Sequence, residues 1–225
     1  MQFMHFLNFR DTKFSFDRNL FSYQKVQELT GSLIRGKRLF VRAPPVPYLN
    51  LGCGPNISPA FTNLDWTWRP GIHICWDLAD GIPVPQQTMD GCFSEHCLEH
   101  LDFQLAVATL REIFRVLKPQ GTLRIAVPDP EIYIDAYIKH RNGEPAVMPL
   151  AAAELEPTPM MSINRVFRQF GHQFAWDFET LRLFLQRTGS EDVRRQSFRC
   201  GRDPVLLIDT PERRIESLYV EAVKP

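Results

Sequence analysis

The sequence contains no C-x-x-C pair, no apolar run of the roughly 18 residues that crosses a bilayer, no excess of either charge and no internal repeat. Each absence excludes a class of protein. Five cysteines (Cys53, Cys75, Cys92, Cys97 and Cys200), an odd number, argue against a disulfide framework and a structural zinc site. They read instead as small buried hydrophobes, and the cytoplasm is the expected compartment. Lys+Arg and Asp+Glu stand at 26 each, so nothing draws the chain toward nucleic acid or anionic lipid. The basic run Arg35, Lys37, Arg38 and Arg42 reads as a solvated helix end. The opening residues MQFMHFLNFRDTK have neither a basic n-region nor a long apolar stretch, so no signal peptide is expected.

What is present describes one globular domain. The chain has 225 residues, 44% hydrophobic and 23% charged, enough for one well-buried core. Residues 1–45 form an aromatic-rich head with a helix from about Asn19 to Ile34, and Ala43–Pro47 is a stiff connector. Strands are expected at Tyr48–Leu51, Phe61–Asp65, Ile72–Asp77, Gly91–Glu95 and Gly121–Val127. A helix over Asp102–Leu117 carries Ala106, Leu110, Ile113, Phe114 and Leu117 at helical spacing, and Pro119 stops it. Asp177 caps another, with Phe178, Leu181, Phe184 and Leu185 buried and Gly189 at its end. Two closing strands, near Asp192–Arg199 and Ile215–Val223, complete an α/β sheet that is mostly parallel.

The chemistry-bearing residues sit at strand ends. Strand one runs into Leu51-Gly52-Cys53-Gly54-Pro55-Asn56, where glycines let backbone N–H groups approach a ligand. Ile57 stands where a dinucleotide fingerprint has its third glycine, which speaks against an NAD or FAD enzyme. Strand two ends in Asp65, an acid suited to ribose hydroxyls. Strand three ends in Asp77-Leu78, suited to an adenine amino group and ring. Each aspartate alone reads equally as a helix cap. Three such features at three successive strand ends point to a nucleoside-containing ligand.

The segments YLNLGCGPN, FTNLDW, WDLADGIPVPQQTMDGCFSEHCLEHL and LREIFRVLKPQGTLRIAVPD, between Tyr48 and Asp129, resemble the class I S-adenosylmethionine-dependent methyltransferases of the type 11 group. The resemblance implies a Rossmann-like seven-stranded sheet, mostly parallel with its last strand antiparallel, an N-terminal helical extension and a lid. It implies S-adenosylmethionine as cofactor. Gly52 and Gly54, with Asn50 and Cys53 beside them, would hold its methionine part. Asp65 with Trp66 would take the ribose, and Asp77 with Leu78 the adenine. Glu95 and His96 would border the methyl group. The divisions would be 1–45 (extension), 46–142 (cofactor core), 143–176 (lid and substrate segment) and 177–225 (helix and closing strands). Three departures from the family pattern stand out. Asn50 replaces an acid, Gln120 replaces a turn glycine, and only ten residues separate Gly54 from Asp65. That spacing is too short for a helical crossover, so a loop or a single turn is expected.

His96-Cys97-Leu98-Glu99-His100 also spells H-x-x-E-H, a zinc metalloprotease signature. No third ligand is identifiable, and similar segments recur in the methyltransferase family without metal. The expectation is no metal, with Glu99 and His100 capping or bracing the next helix. Asp129, after the fifth strand, is a candidate for the catalytic edge or for fixing the next turn. Residues 143–176 form a long irregular stretch, of the kind often found as a lid. Its polar candidates are Arg165, Arg168 and His172. His172 is either a base for an acceptor hydroxyl or a brace for the following turn. Phe170, Phe174 and Trp176 would exclude water around it. The N-R-x-F-x-x-x-G-H pattern at Asn164–His172 is similar to methyltransferases associated with polysaccharide and sugar pathways. A small-molecule or sugar-type acceptor is therefore expected, with no nucleic-acid or membrane partner and the oligomeric state open. The alternative is a module that keeps the fold and binds the cofactor without turnover.

Overall fold

The computed structural model describes residues 18–37, 44–149 and 158–225. Expectations for the head before residue 18, for Arg38 and Arg42, and for residues 150–157 fall outside them. Seven strands form one sheet in the order β3-β2-β1-β4-β5-β7-β6. They are β1 (Tyr48–Leu51), β2 (Thr62–Asp65), β3 (Ile74–Cys75), β4 (Met89–Glu95), β5 (Leu117–Pro128), β6 (Glu191–Gln196) and β7 (Ser217–Val223). β1 runs parallel to β2 and β4, with Leu49 facing Thr62 on one side and Cys92 on the other. β7 is antiparallel to both its neighbours, β5 and β6. Strand order reverses at β1, so the loops leaving β1 and β4 diverge and open a crevice at the carboxyl edge. β1 and β4 are almost wholly buried, as strands covered on both faces must be.

Helices α1 (Arg18–Lys37), α2 (Phe103–Val116), α3 (Pro130–Arg141), α4 (Pro159–Arg168) and α5 (Phe178–Arg187) flank the sheet. α2 starts at Asp102, whose carboxylate accepts from Leu105 N at 2.9 Å, and buries Ala106, Leu110, Ile113 and Val116. It ends before Pro119, because Leu117 has already turned into β5. Lys224 Nζ then donates to the carbonyls of Phe114 and Leu117, closing the helix with a cation at its negative end. β5 thus begins four residues earlier than expected. Its irregular start pairs Leu117 with Met89 and then Thr122 with Gly91, and Gln120 holds φ 66° in the position of the family's turn glycine. Asp177 caps α5 through Thr180 N, and Gly189 closes its end at φ 96°. A Cβ at Gly189 would press on Phe114.

Residues 52–61 form turns and no helix, in keeping with the short crossover. The carboxyl-terminal half of α1 packs where Ile34 meets Cys53, Ile72 and Cys75. Arg35 does not simply project into solvent there. Its guanidinium lies 3.6 Å over the Trp66 ring and donates to the Trp66 carbonyl. β3 shrinks to two residues because Asp77 turns out of the strand to cap a 3₁₀ turn. α3 and α4 have no counterpart among the helices expected from the sequence. α3 has no clean apolar stripe, burying only Pro130, Tyr133 and Ala136 behind the Asp129 cap, and α4 is a ten-residue amphipathic helix; each has a proline in its first turn. Cys200 is exposed, against the expectation that all five thiols are buried. Among the described residues no helix is long and apolar enough to cross a membrane.

A second framework lies between β5, β7 and the loop before β7. Arg124, fully buried, donates from Nε and Nη2 to both oxygens of Asp209 at 2.7 and 2.6 Å and from Nη1 to Glu221 at 3.0 Å. Its remaining donors reach the carbonyls of Ser197 and Cys200. The sheet thereby holds the loop that carries Thr210 and Arg213.

Candidate functional site

Two cavities open at the carboxyl edge. The first, about 300 Å³, is lined by the Gly52–Gly54 turn, Asp65 and Trp66 from the end of β2, Trp76 to Leu78 after β3, and His96, Cys97, His100 and Leu101 after β4. Gly52 and Gly54 both hold positive φ, at 65° and 53°. A Cβ on Gly52 would collide with the Cys97 side chain, whereas one on Gly54 meets nothing within 4 Å and would stand in open space. Gly52 therefore lets two loops pass closely. Gly52→Ala is expected to lower stability by about 1–2 kcal/mol through its backbone alone, with the Cys97 collision on top. Urea unfolding would show it, and a Cys97→Gly background should recover only the collision part.

Asp65 is held firmly. One carboxylate oxygen accepts from Gly54 N at 2.8 Å, the other from Thr67 N at 2.7 Å, and Arg69 lies 3.6 Å away. Each oxygen keeps a further lone pair toward the cavity. Asp77 accepts from Ala79 N at 3.0 Å, and Leu78, Trp76 and Leu101 supply the apolar wall beside it. Burial above all, with Glu99 and Asp65 adding to it, pushes the Cys97 thiol up to about 12, so it is a neutral wall and not a nucleophile.

Three residues expected at the cofactor lie behind this surface instead. Asn50 is buried and donates to the Asn56 carbonyl and to Asn63 Oδ1, so it ties down the glycine loop from below. Cys53 points into the cluster under α1. Glu95 accepts from the Thr210 amide at 2.9 Å and from the Thr210 hydroxyl, holding the loop before β7. Glu95 is next to the lining residue His96 at the end of β4, and Cys53 sits between the two lining glycines in the turn, so each side chain leaves on the other side of the backbone.

The second cavity, about 260 Å³, lies between the segment around α4 and the loop before β7. His96, His100, Arg165, Val166, Phe170 and His172 line it, with Pro128, Arg213 and Glu216. Arg213 and Tyr133 both engage the buried Glu216 carboxylate, at 2.8 and 3.2 Å. Burial and then Glu216 push the Tyr133 phenol up to about 12. Asp129 lines neither cavity. Its carboxylate caps α3 through Glu131 N and pairs with Arg195 at 3.1 Å, and burial raises its pKa. Arg168 is exposed and outside the cavity. The 143–176 stretch is not wholly irregular, since α4 lies within it. Of the aromatics beside His172, Phe174 and Trp176 pack with Phe103 in the core, and Phe170 is exposed.

His96 holds φ 48° in a loop, and His100 ends a 3₁₀ turn, so the two do not share a helix face as the protease signature requires. Nor does Glu99 cap α2, which Asp102 already does. The Glu99 side chain is buried at the centre of His96, His100 and His172. His172 Nδ1 lies 2.6 Å from the Val166 carbonyl; only the ring can donate there, so Nδ1 carries a proton and Nε2 faces Glu99. Burial is the main cause that lowers the His100 pKa, and Glu99 opposes it. Sequence reasoning missed Trp76, Leu101, Arg213 and Glu216. No local pattern marks them, because chain folding alone brings them to the rim.

Residues 49–125 match the family model described as a methyltransferase domain. The stretch so matched, about a third of the chain, is a methyltransferase domain of the S-adenosylmethionine-dependent kind. S-adenosylmethionine is its cofactor, and the first cavity fits that group: a glycine turn with open space above Gly54, two strand-end carboxylates and an apolar wall. Solved structures similar to this methyltransferase include a SAM-dependent methyltransferase from Archaeoglobus fulgidus, with 16% identity, 88% of this chain and 94% of that one covered, and a TM-score of 0.48. Another is a methyltransferase from Mesorhizobium loti, with 18% identity, 79% and 90% coverage and a TM-score of 0.45. Phosphoethanolamine N-methyltransferase 2 from Haemonchus contortus, solved with S-adenosyl-L-methionine, shares 12% identity over 87% of this chain and 52% of that one, with a TM-score of 0.46. No curated protein sequence matches the chain.

Proposed function

We propose that this methyltransferase acts on a small polar acceptor of about the size of a sugar ring, held in the second cavity beside α4. The observation that carries the reading is the shared wall: His96 and His100 line both cavities. S-adenosylmethionine, when bound, supplies a methyl group already activated on a sulfonium, so positioning accounts for much of the rate. Asp65 would accept from the ribose hydroxyls, Asp77 would face the adenine amino group, and Trp76, Leu78 and Leu101 would cover the ring. Gly52 and Gly54 would let the backbone approach the methionine part. On the acceptor side, Arg165, Arg213 and the histidines offer donors and acceptors that orient a hydroxyl-rich molecule. Val166 and Pro128 exclude water on the remaining side. The asparagine–arginine–phenylalanine pattern before His172 supports the sugar class, since Arg165 and His172 both reach this cavity.

S-adenosylhomocysteine is expected to raise the melting temperature and NAD to leave it unchanged. A ligand at about 100 times its dissociation constant adds about 2.7 kcal/mol. Absence of a shift at saturation would overturn the placement of the cofactor. Release of S-adenosylhomocysteine with a panel of sugar, amine and lipid-linked acceptors then tests the acceptor class. Turnover with amines and none with sugars would reject the sugar reading. Cofactor binding without turnover on any acceptor would favour the inactive module.

A further inference from the structure

Glu99 is 2% exposed, and neither of its carboxylate oxygens has a hydrogen-bond partner among the described residues. An ionised carboxylate left so is costly, and native structures seldom leave one. Oε1 faces His96 Nδ1 at 3.3 Å, His100 Nε2 at 3.9 Å and His172 Nε2 at 4.0 Å. Two of the histidines are held from behind. His172 Nδ1 donates to the Val166 carbonyl at 2.6 Å, and His96 Nε2 bonds Ser217 Oγ at 2.8 Å. A hydrogen bond from the far ring nitrogen to a backbone carbonyl is the arrangement that orients metal-ligating histidines.

We propose that Glu99, His100 and His172 form a binding site for one divalent transition-metal ion, Zn²⁺ in the first instance, in the wall between the two cavities. The three offer one ligand atom each, all within 4.8 Å of one another. A tetrahedral ion with ligands at about 2.1 Å sets them about 3.4 Å apart, so small ring rotations complete the site. Two imidazoles and one carboxylate suit Zn²⁺ with open positions, and the same set holds Fe²⁺ in other sites. His96 stands outside this triad, with Ser217 able to donate to Nε2 and leave Nδ1–H to steady the carboxylate. The two histidines of the H-x-x-E-H motif are thus not paired ligands, and Glu99 is a ligand and not a base. The third ligand is supplied by His172, from a distant segment, which is why the motif by itself pointed away from metal. The ion's open positions would face the second cavity, where it would bind an acceptor oxygen and polarise it. That use rests on the acceptor reading above; the site itself does not.

The test uses the full chain without cofactor or acceptor, stripped with chelator and purified without a histidine tag. Titration with Zn²⁺ followed by calorimetry, and elemental analysis after gel filtration, should give one ion per chain. Co²⁺ in its place should give the visible ligand-field bands of a four- or five-coordinate site. Glu99→Gln and His172→Ala should each weaken Zn²⁺ binding by more than about 100-fold, beyond what loss of an outer-shell partner causes. His140→Ala, on the exposed end of α3, should bind as wild type does. Circular dichroism and the S-adenosylhomocysteine melting shift should remain in both ligand variants, which shows them folded. No stoichiometric binding would overturn the proposal, as would Glu99→Gln and His172→Ala both binding like wild type. Because no acceptor is present, failure of the acceptor reading would leave a positive result here intact, and the reverse.

Discussion

Replacing Asp65 with Ala is expected to weaken S-adenosylhomocysteine binding by about 100-fold or more. Hydrogen bonds to a charged acceptor contribute about 1.5–3 kcal/mol each, and two ribose hydroxyls would lose theirs. The sum, about 3 kcal/mol at its lower end, already exceeds two factors of ten. The structure adds a second route to the same loss. The carboxylate also accepts from Gly54 N and Thr67 N, so its removal leaves the glycine turn without its anchor. Asp65→Asn separates the two contributions, since its amide oxygen can still accept from one backbone amide. Calorimetry on wild type, Asn and Ala variants should give three distinct affinities in that order. Equal affinity of wild type and Asp65→Ala would mean that another group holds the ribose.

Asp209→Ala is expected to be the most destabilising of the substitutions considered. It strands Arg124, fully buried on β5, with Glu221 as its one remaining acidic partner among the described residues. Breaking a buried ion pair by removing one partner costs about 3–5 kcal/mol, because the other charge stays behind without solvent. In a chain of this size that corresponds to a fall in melting temperature of about 6–20 °C. Replacing both partners, Arg124→Met with Asp209→Leu, should cost less than the sum of the single changes, because no unmatched guanidinium remains. Thermal unfolding of the four proteins measures that coupling. A melting temperature for Asp209→Ala within a degree or two of wild type would show that water reaches Arg124 and replaces the lost acid.

Much of the cofactor half was legible in the chain because it is local. Strand β1 runs straight into Gly52 and Gly54, and strand ends carry Asp65 and Asp77, so a few residues in order specify each corner. α2 and α5 were legible for the same reason, with a capping aspartate followed by an apolar stripe at helical spacing. α3 and α4 were not. They pack against each other; α3 shows no apolar stripe, and α4, though amphipathic, is only ten residues long and follows a proline-rich stretch that reads as loop. Asn50, Cys53 and Glu95 were assigned to the cofactor because they stand close to it in the chain, but their side chains are taken by Asn56 and Asn63, by the cluster under α1 and by Thr210.

The sequence by itself determined the alternation of strands and helices, the short first crossover and the strand-end aspartates. Each depends on neighbours a few residues apart, where covalent geometry and hydrophobic periodicity act directly. Only the tertiary structure decided what the distant residues do. It brought Asp209 to Arg124, Thr210 to Glu95, and His172 to Glu99 across 73 residues of chain. It also gave Asp129 to the cap of α3 and to Arg195. Such pairings are set by loop closure and by the need to match buried charge, and no local pattern along the chain records them.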